Sequence, residues 1–132
     1  MKPQKTNLRG LALFPISVIL LLTTVWLGIA YAAITLPFKL SFRTLIQRWN
    51  QYFFVLAVSL DQFGNVAMQD LFNDWLLRPN APHRFGNEDE TISSVLGKNK
   101  TTHSLSKTGT LLADFLDWLD PNHVLNSIEP LP

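Results

Sequence analysis

The 132-residue chain carries eleven basic and ten acidic residues, a formal net charge of +1 and no cysteine. That length holds one small domain at most. The missing cysteines exclude a disulfide framework, a thiol nucleophile and a cysteine-based zinc site.

The near-neutral total conceals an asymmetry. Residues 1–60 contain six bases and no acid, whereas residues 61–132 contain all ten acids against five bases. A split of this kind suits a chain whose first half meets a membrane or another polyanion. The acidic second half has scattered bases rather than a cluster, so no nucleic-acid partner is expected.

Residues 1–10 form a basic tail with Lys2, Lys5 and Arg9. Residues 11–36 follow without a charge and predict a transmembrane helix about 39 Å long at ~1.5 Å per residue. A bilayer core is ~30 Å thick, so this segment spans it with room to tilt. Pro15 falls near its start, and Pro37 is expected to end it. A signal peptide cleaved near Ala32, at Ala30-Tyr31-Ala32, is the rival reading and would leave the remainder secreted or periplasmic. Against it stand the length of the apolar run and the bases that follow directly. Three bases lie on each side of the span. The expected location is the bacterial inner membrane with the C-terminal part cytoplasmic.

Residues 37–72 predict a basic amphipathic helix that turns apolar. Lys39, Arg43 and Arg48 would face lipid phosphates at the membrane surface while Leu40, Phe42, Leu45, Ile46 and Trp49 dip inward. Trp49 to Leu60 is free of charge but too short for an independent span. A membrane-dipping continuation, a second leg of a hairpin and a core helix of the soluble part all remain open. Further on, Phe53, Ala57, Leu60, Phe63 and Leu71 make an apolar stripe at three- and four-residue steps. Asp61, Gln62, Asn65 and Gln69 gather on another face, either the wet side or a polar contact with a partner helix.

Residues 73–87 hold Pro79, Pro82, Asn80 and Gly86 and predict a loop. Residues 88–97 predict a short helix with Asn87 as cap, Glu90 three residues later as in a capping box, and Gly97 as the left-handed exit residue. Residues 98–108 predict a polar linker. Residues 109–129 predict C-terminal helices: an apolar face of Leu111, Leu112, Phe115, Leu116 and Leu119, then a new turn with Asp120 as cap and Pro121 at its first position. No strand pattern appears. The expected class is all-α: an N-terminal transmembrane helix, an amphipathic interfacial helix and a small, loosely organised helical region.

Chemistry-bearing patterns are sparse. Glu88, Asp89, Glu90, Asp120 and His123 are the residues a metal would use, but no EF-hand or H-E-x-x-H spacing is present, and no metal or other cofactor is expected. Neither a G-x-S-x-G turn nor a Walker loop occurs, so no catalytic residue is assigned.

Three stretches, DQFGN (61–65), EDETISSVLGK (88–98) and DWLDPNHVLNSIE (117–129), resemble in that order a group of small, often prophage-associated bacterial membrane proteins of no established activity. The resemblance covers about residues 50–129. This chain departs from it in its long 69–87 segment where members have a tight Gly-Gly turn, in Val95 where a base is usual, and in Val124 where cysteine is frequent. The resemblance implies a polar cluster of Asp61, Asn65, Asp89, Glu90, Thr91, Ser93, Ser94 and His123. In it Asp61 and Asn65 would meet the start of the 89–94 helix, and His123 would hydrogen-bond a carboxylate. The expected function is binding or assembly at the inner membrane, with the lipid bilayer, a protein partner or a second copy as partners. A holin-like oligomer associated with lysis is the alternative, and a metal-dependent enzyme the third reading.

Overall fold

The computed structural model describes residues 9–130. Lys2 and Lys5 of the basic tail lie outside the described residues. Six helices occur in the order α1 (Arg9–Lys39), α2 (Phe42–Ala67), α3 (Gln69–Trp75), α4 (Ile92–Thr101), α5 (Lys107–Leu119) and α6 (His123–Asn126), and no strand forms among the described residues. The chain divides into two units, Met1–Asn50 and Gln51–Pro132, with the boundary inside α2.

In the first unit α1 is 31 residues long and none of them is buried. It is the one helix among the described residues long and apolar enough to cross a membrane. Its polar side chains are handled internally. Ser17, Thr23, Thr24 and Thr35 each donate a hydroxyl to a carbonyl one turn back, at Leu13, Ile19, Leu20 and Tyr31. Such closure is what an apolar surrounding demands, because no water is there to take up a free hydroxyl. Pro37 does not end the helix, as expected, but sits in its last turn, with Lys39 as the final residue. Lys39, Arg43 and Arg48 are all exposed.

In the second unit the core is built where the sequence looks least like one. The expected loop 73–87 contributes Leu76, Leu77, Ala81 and Phe85, all buried, to a cluster with Val95, Leu96, Leu105, Ala113 and Val124. Phe72 packs edge-on against Phe85 at 5.3 Å between ring centres. Asn73 holds this segment by pairing both amide atoms with the Phe85 backbone, Oδ1 accepting its N–H at 2.9 Å and Nδ2 donating to its carbonyl at 3.0 Å.

The expected polar linker 98–108 is largely structured. α4 runs on to Thr101, and Leu105 is buried against Leu77 across a short antiparallel bridge. In that bridge Arg78 N–H donates to Ser104 O and Ser106 N–H to Leu76 O, both at 2.9 Å. Ser106 caps α5, its Oγ accepting Gly109 N–H and donating to Trp75 O.

α4 is enclosed on all sides: Ser93 to Asn99 are buried without a break. Gly97 is therefore not an exit residue. It lies inside the helix where α6 crosses, and a Cβ there would overlap the Val124 carbonyl. Asp120 does not begin the next helix but ends α5. α6 starts at His123 after Asn122, which takes a left-handed conformation at φ 62°.

Lys100 and Asp117 tie α4, α5 and α6 together. Lys100 Nζ lies 2.8 Å from both Asp114 and Asp117, and the second oxygen of Asp117 accepts Val124 N–H. The two carboxylates hold the Lys100 ammonium above its usual range. Burial pushes the Asp117 carboxyl up, but the Lys100 ammonium and the Val124 N–H outweigh it and hold the group below the usual value.

Candidate functional site

The polar residues of the second unit converge on the start of α4. Asp61 and Asn65 stand four apart on α2, so both point the same way. That way is inward. Asn65 is fully buried and Asp61 half-buried, whereas Phe53, Leu60, Phe63 and Leu71 of the apolar stripe are exposed. The apolar periodicity on α2 thus marks its outer face, and of the two roles expected for the polar face, solvent or a partner helix, it takes the second, packing against α4.

Asn65 uses its whole amide. Nδ2 donates to the carbonyls of Asn87, at 3.0 Å, and Glu90, at 2.6 Å, while Oδ1 accepts Gly86 N–H at 2.9 Å. One side chain thereby shapes the 86–90 turn. Asp61 Oδ1 accepts Ile92 N–H at 3.2 Å and Oδ2 accepts the Ser93 hydroxyl at 3.1 Å. A carboxylate placed there satisfies donors that a helix start leaves open and opposes the positive end of its dipole.

The cap within the chain is Thr91, whose Oγ1 accepts Ser94 N–H at 3.1 Å, so the helix begins at Ile92 rather than after Asn87. Glu129 reaches back from the C-terminal segment to accept Thr91 N–H at 3.2 Å. Ser94 donates to Glu90 at 2.9 Å and accepts Glu129 N–H at 3.0 Å. Glu90 meets Lys98 at 2.6 Å, both side chains only 8% exposed. Burying such a pair is tolerable only because Ser94 adds a further hydrogen bond to the carboxylate.

His123 completes the cluster. Its Nδ1 lies 3.0 Å from Asp120 Oδ2 and its Nε2 3.2 Å from Ser93 Oγ. Asp120, His123, Ser93 and Asp61 therefore form one hydrogen-bonded row. The row lines a cavity of about 920 Å³ whose other walls are mainly apolar, among them Phe54, Val58, Phe72, Leu112 and Leu116.

Of the eight cluster residues expected, seven meet here and Asp89 does not. Asp89 is exposed, and its backbone N–H donates to Asn87 Oδ1 at 3.2 Å. The residues considered for a metal are dispersed: Glu88 and Asp89 face solvent, Glu90 faces Lys98, and Asp120 faces His123. Among the described residues no three His, Asp or Glu side chains gather as a metal site.

Lys98 and Glu129 join the cluster without being among the expected site residues, and Asp120 joins it as the carboxylate partner of His123 rather than as a cap or metal ligand. For Lys98 a signal existed, since Glu90, Ser94 and Lys98 recur at steps of four. Glu129 closes the 117–129 motif, but its partners Thr91 and Ser94 lie 38 and 35 residues away, beyond any local spacing. No family model matches the chain, and no curated protein or solved structure matches it either.

Proposed function

We propose that this chain is a membrane-anchored binding protein of the bacterial inner membrane, prophage-derived as its three motifs suggest. Residues 51–132 then form a cytoplasmic unit that engages a protein partner or a second copy. The observation that carries the reading is α1: 31 residues, none buried, with every Ser and Thr hydroxyl returned to the helix's own backbone. Lys39, Arg43 and Arg48, exposed at and beyond its end, suit a phosphate-rich surface on the cytoplasmic side.

The convergence of seven motif residues on the start of α4 supports treating the three motifs as one unit. Exposed aromatic residues on that unit, Phe115 and Trp118 stacked at 6.1 Å among them, supply apolar area for a partner.

Reporter fusions after Phe38, after Leu60 and at the C-terminus test the topology. All three should report the cytoplasm. A Leu60 fusion on the opposite side from Phe38 would favour a two-span hairpin, the arrangement that the holin-like alternative requires. A periplasmic C-terminus would overturn the orientation.

A further inference from the structure

We infer that Ser93 and His123, with the cavity beside them, form an acyl-transfer site, Ser93 acting as nucleophile and His123 as its base on esters or thioesters of apolar acyl chains. A hydroxyl becomes a nucleophile when a base stands within hydrogen-bonding reach and a third group orients that base. Here Ser93 Oγ lies 3.2 Å from His123 Nε2, and His123 Nδ1 lies 3.0 Å from Asp120 Oδ2. An ionised carboxylate can only accept, so Asp120 holds the Nδ1 proton and leaves the Nε2 lone pair facing the hydroxyl.

Asp61 Oδ2 accepts the one proton of that hydroxyl at 3.1 Å, and rotation about the Cβ–Oγ bond turns the proton to Nε2 for transfer. The other Asp61 oxygen is fixed by Ile92 N–H, so Asp61 pins the Ser93 side chain at the cavity wall. Asp61 and Asp120 are positioning residues. Of the two acceptors around Oγ, the imidazole is the one that can afterwards return the proton to a leaving group.

Charge that develops on a carbonyl oxygen needs a donor. Ser93 is the second residue of α4, a ten-residue helix. Asp61 takes the N–H of Ile92, and Thr91 takes that of Ser94. The N–H of Ser93 itself belongs to the first turn of the helix, whose N–H groups lack an intrahelical carbonyl, and is the donor left beside the nucleophile. The substrate class follows from the walls. About 920 Å³ lies within the range of ligand pockets, and Phe54, Val58, Phe72, Leu112 and Leu116 offer apolar contact with a row of polar groups at one side. An acyl chain with its carbonyl at Ser93 matches that division.

In the first step Oγ bonds to the carbonyl carbon as its proton passes to Nε2. The bond from that carbon to the leaving oxygen or sulfur breaks, and the leaving atom takes the proton. Water then attacks the acyl-Ser93 ester by the same route, releasing a carboxylic acid and restoring the hydroxyl.

The full chain in detergent, treated with an alkyl fluorophosphonate and mapped by peptide mass, tests this. The expected result is an adduct on Ser93 in the folded wild-type protein. His123→Ala should slow it by about 100-fold or more, the usual size of a general-base contribution. Asp120→Asn should slow it only a few-fold, because that carboxylate is 69% exposed and its field is screened. Leu112→Trp, which fills the cavity, should slow a dodecyl probe more than an ethyl one. A folded wild-type protein with no adduct, an adduct at another serine, or a rate unchanged in His123→Ala would overturn the assignment.

Discussion

Asn65 and Glu90 are 25 residues apart, yet the Asn65 amide donates to the Glu90 carbonyl at 2.6 Å from a fully buried position. The same amide also meets Gly86 and Asn87, so the turn before α4 has its shape from a residue on α2. Asn65→Ala would leave one donor and two acceptors of that turn without their partner. Each buried group stranded in this way costs ~1–3 kcal/mol, with partial relief where water enters. We predict a loss of roughly 2–4 kcal/mol, measured by denaturant unfolding in detergent. A loss under about 1 kcal/mol would mean the turn holds its shape by itself.

The buried Glu90–Lys98 pair gives a second prediction. Removing one partner leaves the other charged and enclosed, which costs ~3–5 kcal/mol, whereas removing both with apolar groups of similar volume is often close to neutral. Glu90→Leu and Lys98→Met should therefore each destabilise strongly, and the double variant should be more stable than either. Additive losses in the cycle would show that the two charges do not act as a pair.

Gly97 tests the contact between α4 and α6. A methyl group there meets the Val124 carbonyl, which is backbone and cannot rotate aside. Gly97→Ala should cost ~1–3 kcal/mol despite the better helix propensity of alanine. At Gly28 in α1, where nothing lies within 4 Å, the same change should leave thermal stability unchanged or slightly raised. Equal responses at the two positions would remove the close-packing explanation.

The Lys100–Asp117 clamp predicts a pH dependence. Asp117 is held below its ordinary value of 3.8, so its contribution is full above 3.8 and disappears as pH falls through the lower folded value. Lys100 is held above 10.5, so its contribution is full below 10.5 and disappears as pH rises through the higher folded value. Lys100 is 31% exposed, so screening keeps the effect to about 1 kcal/mol or less. The difference in melting temperature between wild type and Lys100→Met should be constant through neutral pH and shrink at both extremes. A difference that grows in acid would contradict the assignment.

How far such features can be read from sequence depends on whether they are local. α1 is legible because an uncharged run longer than a bilayer needs no partner to be recognised. α5 is legible from Leu111, Leu112, Phe115, Leu116 and Leu119, although Leu111, Phe115 and Leu119 prove exposed and Ala113 supplies the fully buried contact. The start of α4 was misplaced because Asn87 and Thr91 are both acceptable caps. The choice between them is made by Asn65, which takes the Asn87 and Glu90 carbonyls, and by Asp61, which caps Ile92.

Residues 98–101 looked like linker because Lys98 and Asn99 are polar. All four are helical, and Lys98 and Asn99 are buried because Lys98 meets Glu90 and Asn99 Nδ2 meets the carbonyls of His83 and Val95. Hydropathy registers a polar residue but not its partner. On α2 hydropathy alone does not mark the packed face, because the polar side is turned inward to its partners and the apolar side outward.

The proposed function depends above all on α1 as a membrane anchor, and alkaline carbonate extraction of membranes from expressing cells tests this directly. The full chain should stay in the pellet. A variant with Leu21→Asp and Val25→Asp, two charges at mid-helix at ~2.5–3.5 kcal/mol each, should move to the supernatant. Release of the unmodified chain by carbonate would contradict the anchor and the function proposed from it.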